Sequence, residues 1–202
     1  LTTAYIALWS VLIGQLLNGA DIRLQRKIKQ DVRTGDIVTR LSEPGNYILA
    51  KLFQAFGYFV TMFTTNGLIF IPIFVYLIPA PVNIFLLLIF AFISFVLYSL
   101  VNTIVGLSSF LIEENSGIEL VISKLFFLFG NQVIPMVLMP VWVQSIAKWT
   151  PFYLGLAGPI EVATGRLSWT FALLLSVFYI ILFYTLAQLM LSIVRKRVII
   201  NG

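Results

Sequence analysis

The sequence predicts an all-α fold, a polytopic transmembrane helical bundle, and three observations predict it. Of 202 residues, 60% are hydrophobic and only 10% charged, with a mean hydropathy of +1.01, outside the range of soluble domains. The charges leave four uncharged runs, Leu1 to Ala20, Leu52 to Ile112, Leu125 to Ala147 and Leu167 to Val194. Each reaches the roughly 20 residues that a helix needs to cross a bilayer. The basic residues also cluster: seven of thirteen lie between Arg23 and Lys51, and three more form Arg195-Lys196-Arg197.

Residues 1–20 form the first span, with Tyr5 and Trp9 near one end and Asp21 beyond the other. The chain opens at Leu1 inside an apolar run, without the basic region or cleavage site of a signal peptide. A further span is therefore expected upstream. Residues 21–51 are wet and charged. From Asp21 to Arg33, Leu24, Ile28 and Val32 recur at four-residue spacing, with Arg23, Arg26, Lys27, Lys29 and Arg33 elsewhere around the wheel. This is the pattern of an amphipathic helix at a membrane surface. Thr34-Gly35-Asp36 breaks it, and Ser42-Glu43-Pro44-Gly45-Asn46 is a turn signal before the next apolar run.

The 61 uncharged residues that follow are too long for one span and are divided by Pro79-Ala80-Pro81 into a helical hairpin, residues 52–78 and 83–112. Glu113 to Gly117 ends it. The fourth visible span covers residues 118–139 and contains Gly130 and Pro135, breakers that mark a kink or a re-entrant element packed against protein. Residues 140–168 mix prolines, aromatics and a few charges, a composition suited to the membrane surface. The last span is residues 169–194, and 195–202 form a tail. Five spans are visible and six are expected in the complete protein. Grouping residues 21–51, the loop before the fourth span and the tail puts eleven of thirteen basic residues on one side. That side is the cytoplasm, and only Lys148 and Arg166 remain outside.

The available chemistry is sparse. Without cysteine or histidine, the chain has no thiol chemistry, no thiolate metal site and no imidazole base. No catalytic, cofactor-binding or metal-ligating residues are expected. Glu113 and Glu114 are adjacent, so on a helix they diverge by about 100° rather than converge. Glu161 and Arg166 are read as a structural or solvated pair. Asn66, Asn102, Asn131 and Gln132 suit bonds between helices or to freed backbone. The uncharged runs hold no ionisable group for ion-coupled transport, and no G-x-x-x-x-G-K-[ST] phosphate loop occurs. Any active transport must draw its energy from another polypeptide. Residues 22–51, the only long inner segment, would either dock that partner or rest as a basic loop on anionic headgroups. Nucleic-acid binding is excluded, because topology already accounts for the basic residues.

The run Asp31-Val32-Arg33-Thr34-Gly35-Asp36-Ile37, followed by Leu41, Pro44 and Tyr47, resembles the inner-loop signature of bacterial type-2 ABC exporter permeases. Far downstream, Gly130, Ile134-Pro135, Pro140, Trp142, Pro151-Phe152, Pro159 and Gly165 resemble a second pattern of the same branch, in the same order. The resemblance implies a six-span permease subunit of the bacterial cytoplasmic (inner) membrane. It implies that two copies or paralogues pair and dock on cytoplasmic ABC ATPase subunits that carry ATP and Mg. The ATPase-coupling residues it implies are Asp31, Val32, Arg33, Thr34, Gly35, Asp36, Ile37 and Arg40. Gly130, Pro135, Pro140, Trp142, Pro151, Phe152, Pro159 and Gly165 become an outer lid of re-entrant helices. This chain departs from the pattern in having no counterpart of the family's first span before Leu1. The alternative is a channel or scaffold subunit that needs no ATPase. A lipid-modifying enzyme is disfavoured by the missing catalytic groups, and the exported substrate and contacts with membrane lipid stay undefined.

Overall fold

The computed structural model describes residues 2–201 except 43, 44, 79, 113, 114 and 133; for 2, 41, 42 and 197–201 it describes the backbone alone. Among the described residues there is no strand. The α-helices run α1 (Thr2–Gly19), α2 (Leu24–Thr34), α3 (Asp36–Ser42), α4 (Tyr47–Leu77), α5 (Ile84–Ser108), α6 (Ser116–Phe129), α7 (Val141–Ala147), α8 (Pro151–Leu156), α9 (Gly158–Ala163) and α10 (Trp169–Asn201). A short 3₁₀ turn, Met136–Leu138, joins α6 to α7.

Among the described residues four stretches are long and apolar enough to cross a membrane: Thr3–Thr34, Tyr47–Leu77, Ile84–Ser108 and Trp169–Lys196. The first is not one helix. Asp21 accepts from the Arg23 amide at 3.0 Å, and Arg23 adopts φ 57, so the chain turns between α1 and α2. The fourth expected span is built differently. α6 has 14 residues, about 21 Å of helix, and ends at Gly130; Asn131 then turns with φ 57, and its Oδ1 accepts from the Met136 amide at 2.6 Å. The breakers read inside a span thus stand at a helix end.

Capping sets the other boundaries. Asn46 Oδ1 accepts from the Ile48 and Leu49 amides, which starts α4 five residues before the uncharged run and brings Lys51 into the helix. Asn83 caps α5 by accepting from the Leu86 amide at 3.1 Å. Side-chain oxygen at Asn46 and Asn83 satisfies amides that a helix start leaves without partners. In α4, the Thr61 and Thr65 hydroxyls donate to carbonyls one turn back, Gly57 and Thr61. Asn66 does the same to Met62. Polar groups are thereby satisfied within their own helix in an apolar setting.

α5 is the core of the bundle, buried from Phe95 to Ser108 at most positions, and α2, α8, α9 and α10 all pack on it. At one end Trp9 Nε1 donates to the Ile78 carbonyl at 2.9 Å, and the Asn83 amide donates to Ala163 at 2.8 Å. The opposite end carries α2 and α3. α4 and α10 keep broad apolar faces exposed, with Phe53, Leu68 and Tyr76 on one and Leu174, Phe178 and Ile181 on the other. In a bilayer such faces contact hydrocarbon or other helices at no hydrophobic cost.

Candidate coupling site

α2 is amphipathic, as its spacing predicts, but its buried face is turned slightly from the predicted stripe. Leu24, Gln25, Ile28 and Asp31 are buried, whereas Val32 is only partly so. Ile28 lies on Gly106 of α5 so closely that a Cβ at Gly106 would stand 2.7 Å from Ile28 Cβ. Glycine here lets two helices meet at backbone distance. On the same inward face, i+3 from Ile28, Asp31 reaches the base of α4.

There, three donors converge on one carboxylate oxygen. Asp31 Oδ2 lies 2.6 Å from Lys51 Nζ, accepts from the Tyr47 hydroxyl at 2.8 Å and lies 3.6 Å from Arg40 Nε. Tyr47 and Lys51 are one turn apart on the buried face of α4, and Lys51 is only 5% exposed. A buried charge of this kind is tolerated because it is paired and hydrogen-bonded. Arg40, on α3, adds a half-exposed arm.

The eight coupling residues read from the sequence thus separate into two groups. Asp31 and Ile37 are buried anchors, and Arg40 joins the carboxylate. Arg33, Thr34, Gly35 and Asp36 form an exposed tip, with Val32 half-buried behind them. Gly35, at φ 78, closes α2 by donating to the Val32 carbonyl at 3.3 Å, and Asp36 opens α3 where a carboxylate complements the helix dipole. Pro44 of the expected turn lies outside the described residues. On the far side of α2, Arg26 Nε meets Glu119 Oε1 of α6 at 3.3 Å, and beside α2 the Tyr98 hydroxyl of α5 donates to Asp21 Oδ2 at 3.4 Å. One short helix therefore contacts α4, α5 and α6 while its turn stays exposed. Lys51 was missed because it bordered an uncharged run and counted only as a loop charge; the signal was the Asn46 cap.

The second group of residues runs from the α2 side, where Gly155 and Leu156 lie near Leu17 and Asp21, to the other end, where Ala163 accepts from the Asn83 amide. Gly130 ends α6, where Leu156 and the Phe126 carbonyl leave no room for a side chain. Pro135 precedes the 3₁₀ turn and Pro140 precedes α7. Pro151 and Pro159 occupy first-turn positions of α8 and α9, where a missing amide has no consequence, and Gly165 turns at φ 72. Trp142 is exposed on α7. α8 and α9 are instead buried throughout Tyr153–Ala163. Phe152 packs edge-on against Phe126 at 5.1 Å, and Phe126 against Tyr98 at 4.5 Å. The Ser94 hydroxyl of α5 donates to the Leu154 carbonyl at 2.7 Å. Glu161 is not solvated: it is 3% exposed and accepts from Arg166 Nε at 2.8 Å, while Arg166 Nη2 donates to Gln144 Oε1 of α7 at 3.2 Å. Burial, then the Glu161 charge, pushes the Tyr153 hydroxyl above the ordinary tyrosine range. Glu113 and Glu114 lie outside the described residues.

Among the described residues no group of three or more potential ligands could hold a metal ion. The family model described as ABC-2 family transporter protein matches residues 2–202. The chain belongs to the ABC-2 transporter family. No curated protein and no solved structure matches it. As an ABC-2 permease it is a multi-pass membrane subunit, not itself an ATPase, of a family whose members associate with an ATPase subunit.

Proposed function

We propose that this ABC-2 chain is the permease subunit of an ATP-driven exporter in the bacterial cytoplasmic membrane, pairing with a second permease and docking on separate nucleotide-binding subunits. ATP and Mg belong to those subunits. The α2–α3 turn is the docking element, and Asp31 to Ile37 with Arg40 carry the coupling. One observation supports this assignment above the others: an exposed tip, Arg33 to Asp36, sits on a helix tied to α4 through Asp31 and Lys51 and to α5 through Ile28 and Gly106. Movement of the tip by a closing ATPase dimer is transmitted because both anchors are buried and close-packed, and packed interfaces shift between discrete states rather than deform smoothly. The outer group, Gly130 to Gly165, forms the lid, with α8 and α9 inserted beside α5.

The test is to reconstitute the permease with its ATPase and replace Thr34 by Pro or reverse Asp36 to Lys. Uncoupling appears as ATPase activity that persists while transport is lost, with membrane insertion unchanged. If such variants capture the ATPase and transport normally, coupling lies elsewhere. Copurification from native membranes with no nucleotide-binding partner favours the channel or scaffold reading.

A further inference from the structure

A cleft of about 270 Å³ opens between the end of α1, the start of α2, the middle of α5 and α6. Its lining joins two cations, Arg23 and Lys124, with the amide of Asn18 and the apolar side chains of Leu120, Phe126 and Phe127. Among the described residues no carboxylate lines it. Asp21, which accepts from the hydroxyl of the lining residue Tyr98, lies close enough to offset part of the Arg23 charge, and Glu119 pairs with Arg26. The cleft therefore keeps a net positive charge, carried chiefly by Lys124 and in part by Arg23, whose natural complement is an anion.

The apolar half narrows the choice of anion. Leu120 and Phe127 are 59% and 44% exposed, and the Lys124 ammonium lies 5.4 Å from the Phe127 ring centroid, so the charge stands at the edge of an open hydrophobic surface. Lys124 is eight residues into α6, roughly 12 Å along the helix from its start. Long basic side chains near a membrane surface reach back to headgroups. The volume falls just below that of typical small-molecule pockets, about 300 Å³ upward, enough for a headgroup but not for a whole lipid. A chain attached to that headgroup would leave the cleft along Leu120 and Phe127.

We propose that this cleft binds the phosphate headgroup of an anionic amphiphile from the leaflet on the α2 side, with Arg23 and Lys124 holding the phosphate. The site does not depend on ATP coupling and stands whether or not α2–α3 docks an ATPase.

The intact permease in a neutral detergent, titrated with dioctanoyl-phosphatidylglycerol, dioctanoyl-phosphatidylcholine and inorganic phosphate, tests it. Phosphatidylglycerol should bind saturably, and phosphatidylcholine about tenfold more weakly or worse. Inorganic phosphate at matching concentration should fail to displace the lipid. Lys124→Gln should weaken phosphatidylglycerol binding about tenfold, the scale of one charge-assisted contact, and adding Arg23→Gln should weaken it further. Lys124 is exposed, so its substitution leaves the fold intact, and an unchanged elution profile verifies that. Equal affinity for the two lipids would reduce the site to an apolar annulus and overturn the proposal. Displacement by inorganic phosphate would make it a site for free anions and also overturn it, as would full affinity in the Lys124→Gln protein.

Discussion

Lys51 Nζ stands 2.6 Å from Asp31 Oδ2 with both side chains buried, so α4 begins with a positive charge that α2 neutralises. Removing one partner leaves the other buried and uncompensated, which costs about 3–5 kcal/mol, whereas removing both is often close to neutral. Lys51→Met should therefore lower the thermal midpoint of the detergent-solubilised permease sharply. Asp31→Asn combined with Lys51→Met should recover most of the loss. A Lys51→Met protein as stable as the parent would show that the pair does not hold α2 to α4.

Arg40 gives the contrast. Its guanidinium is 3.6 Å from the same oxygen and half-exposed, where solvent screens the attraction and the pair contributes under about 1 kcal/mol. Arg40→Ala should leave the thermal midpoint nearly unchanged. If the α2–α3 turn does dock an ATPase, the same variant should alter the response of ATPase activity to substrate. A large stability loss would mean that Arg40 is an anchor rather than an outer arm.

Gly106 controls how closely α2 lies on α5. A Cβ there would stand 2.7 Å from Ile28 Cβ and 3.1 Å from the Gln25 carbonyl oxygen, and the second neighbour is backbone that cannot rotate away. Gly106→Leu should destabilise by about 1–3 kcal/mol, as overpacking does, and shift α2 outward. Ile28→Ala should relieve only part of this, because the Cβ at position 28 and the Gln25 carbonyl both remain. Proteolysis at the α2–α3 turn reads the displacement: faster cleavage in Gly106→Leu is expected, and unchanged cleavage would refute the close-packing account.

The parts of the fold legible in the sequence were those governed by hydrocarbon and charge. α4, α5 and α10 follow from uncharged runs, and α2 from its periodicity, because burying apolar area dominates both cases. The prolines at 151 and 159 were legible as positions but not in their role, since a proline starts a helix as readily as it breaks one. The burial of α8 and α9 was hidden for another reason. Aromatics and small residues suit a membrane surface and a protein interior alike, and only the position of Phe126 against Phe152, Tyr98 and Gly155 decides between them. The Asp31–Lys51 pair escaped because pairing across twenty residues of sequence is a property of the turn between α2 and α4, not of either residue.

Tyr153 supplies a pH dependence for the lid. Its hydroxyl is held above the ordinary value near 10, first by burial and then by the Glu161 charge. The folded state therefore keeps a proton that the unfolded chain releases once the pH passes about 10. The contribution of this group to stability is full below that pH and is lost as the pH rises toward the folded-state value. A series of thermal midpoints between pH 8 and 11 should fall at the alkaline end. Tyr153→Phe should flatten that part of the fall while leaving the neutral-pH stability within about 1 kcal/mol of the parent, because the ring still packs and only the hydroxyl is lost. The Phe variant leaves every other ionisable group in place, so the difference between the two profiles isolates Tyr153. Superimposable profiles would mean that the hydroxyl titrates alike in the folded and unfolded chain and does not sense Glu161.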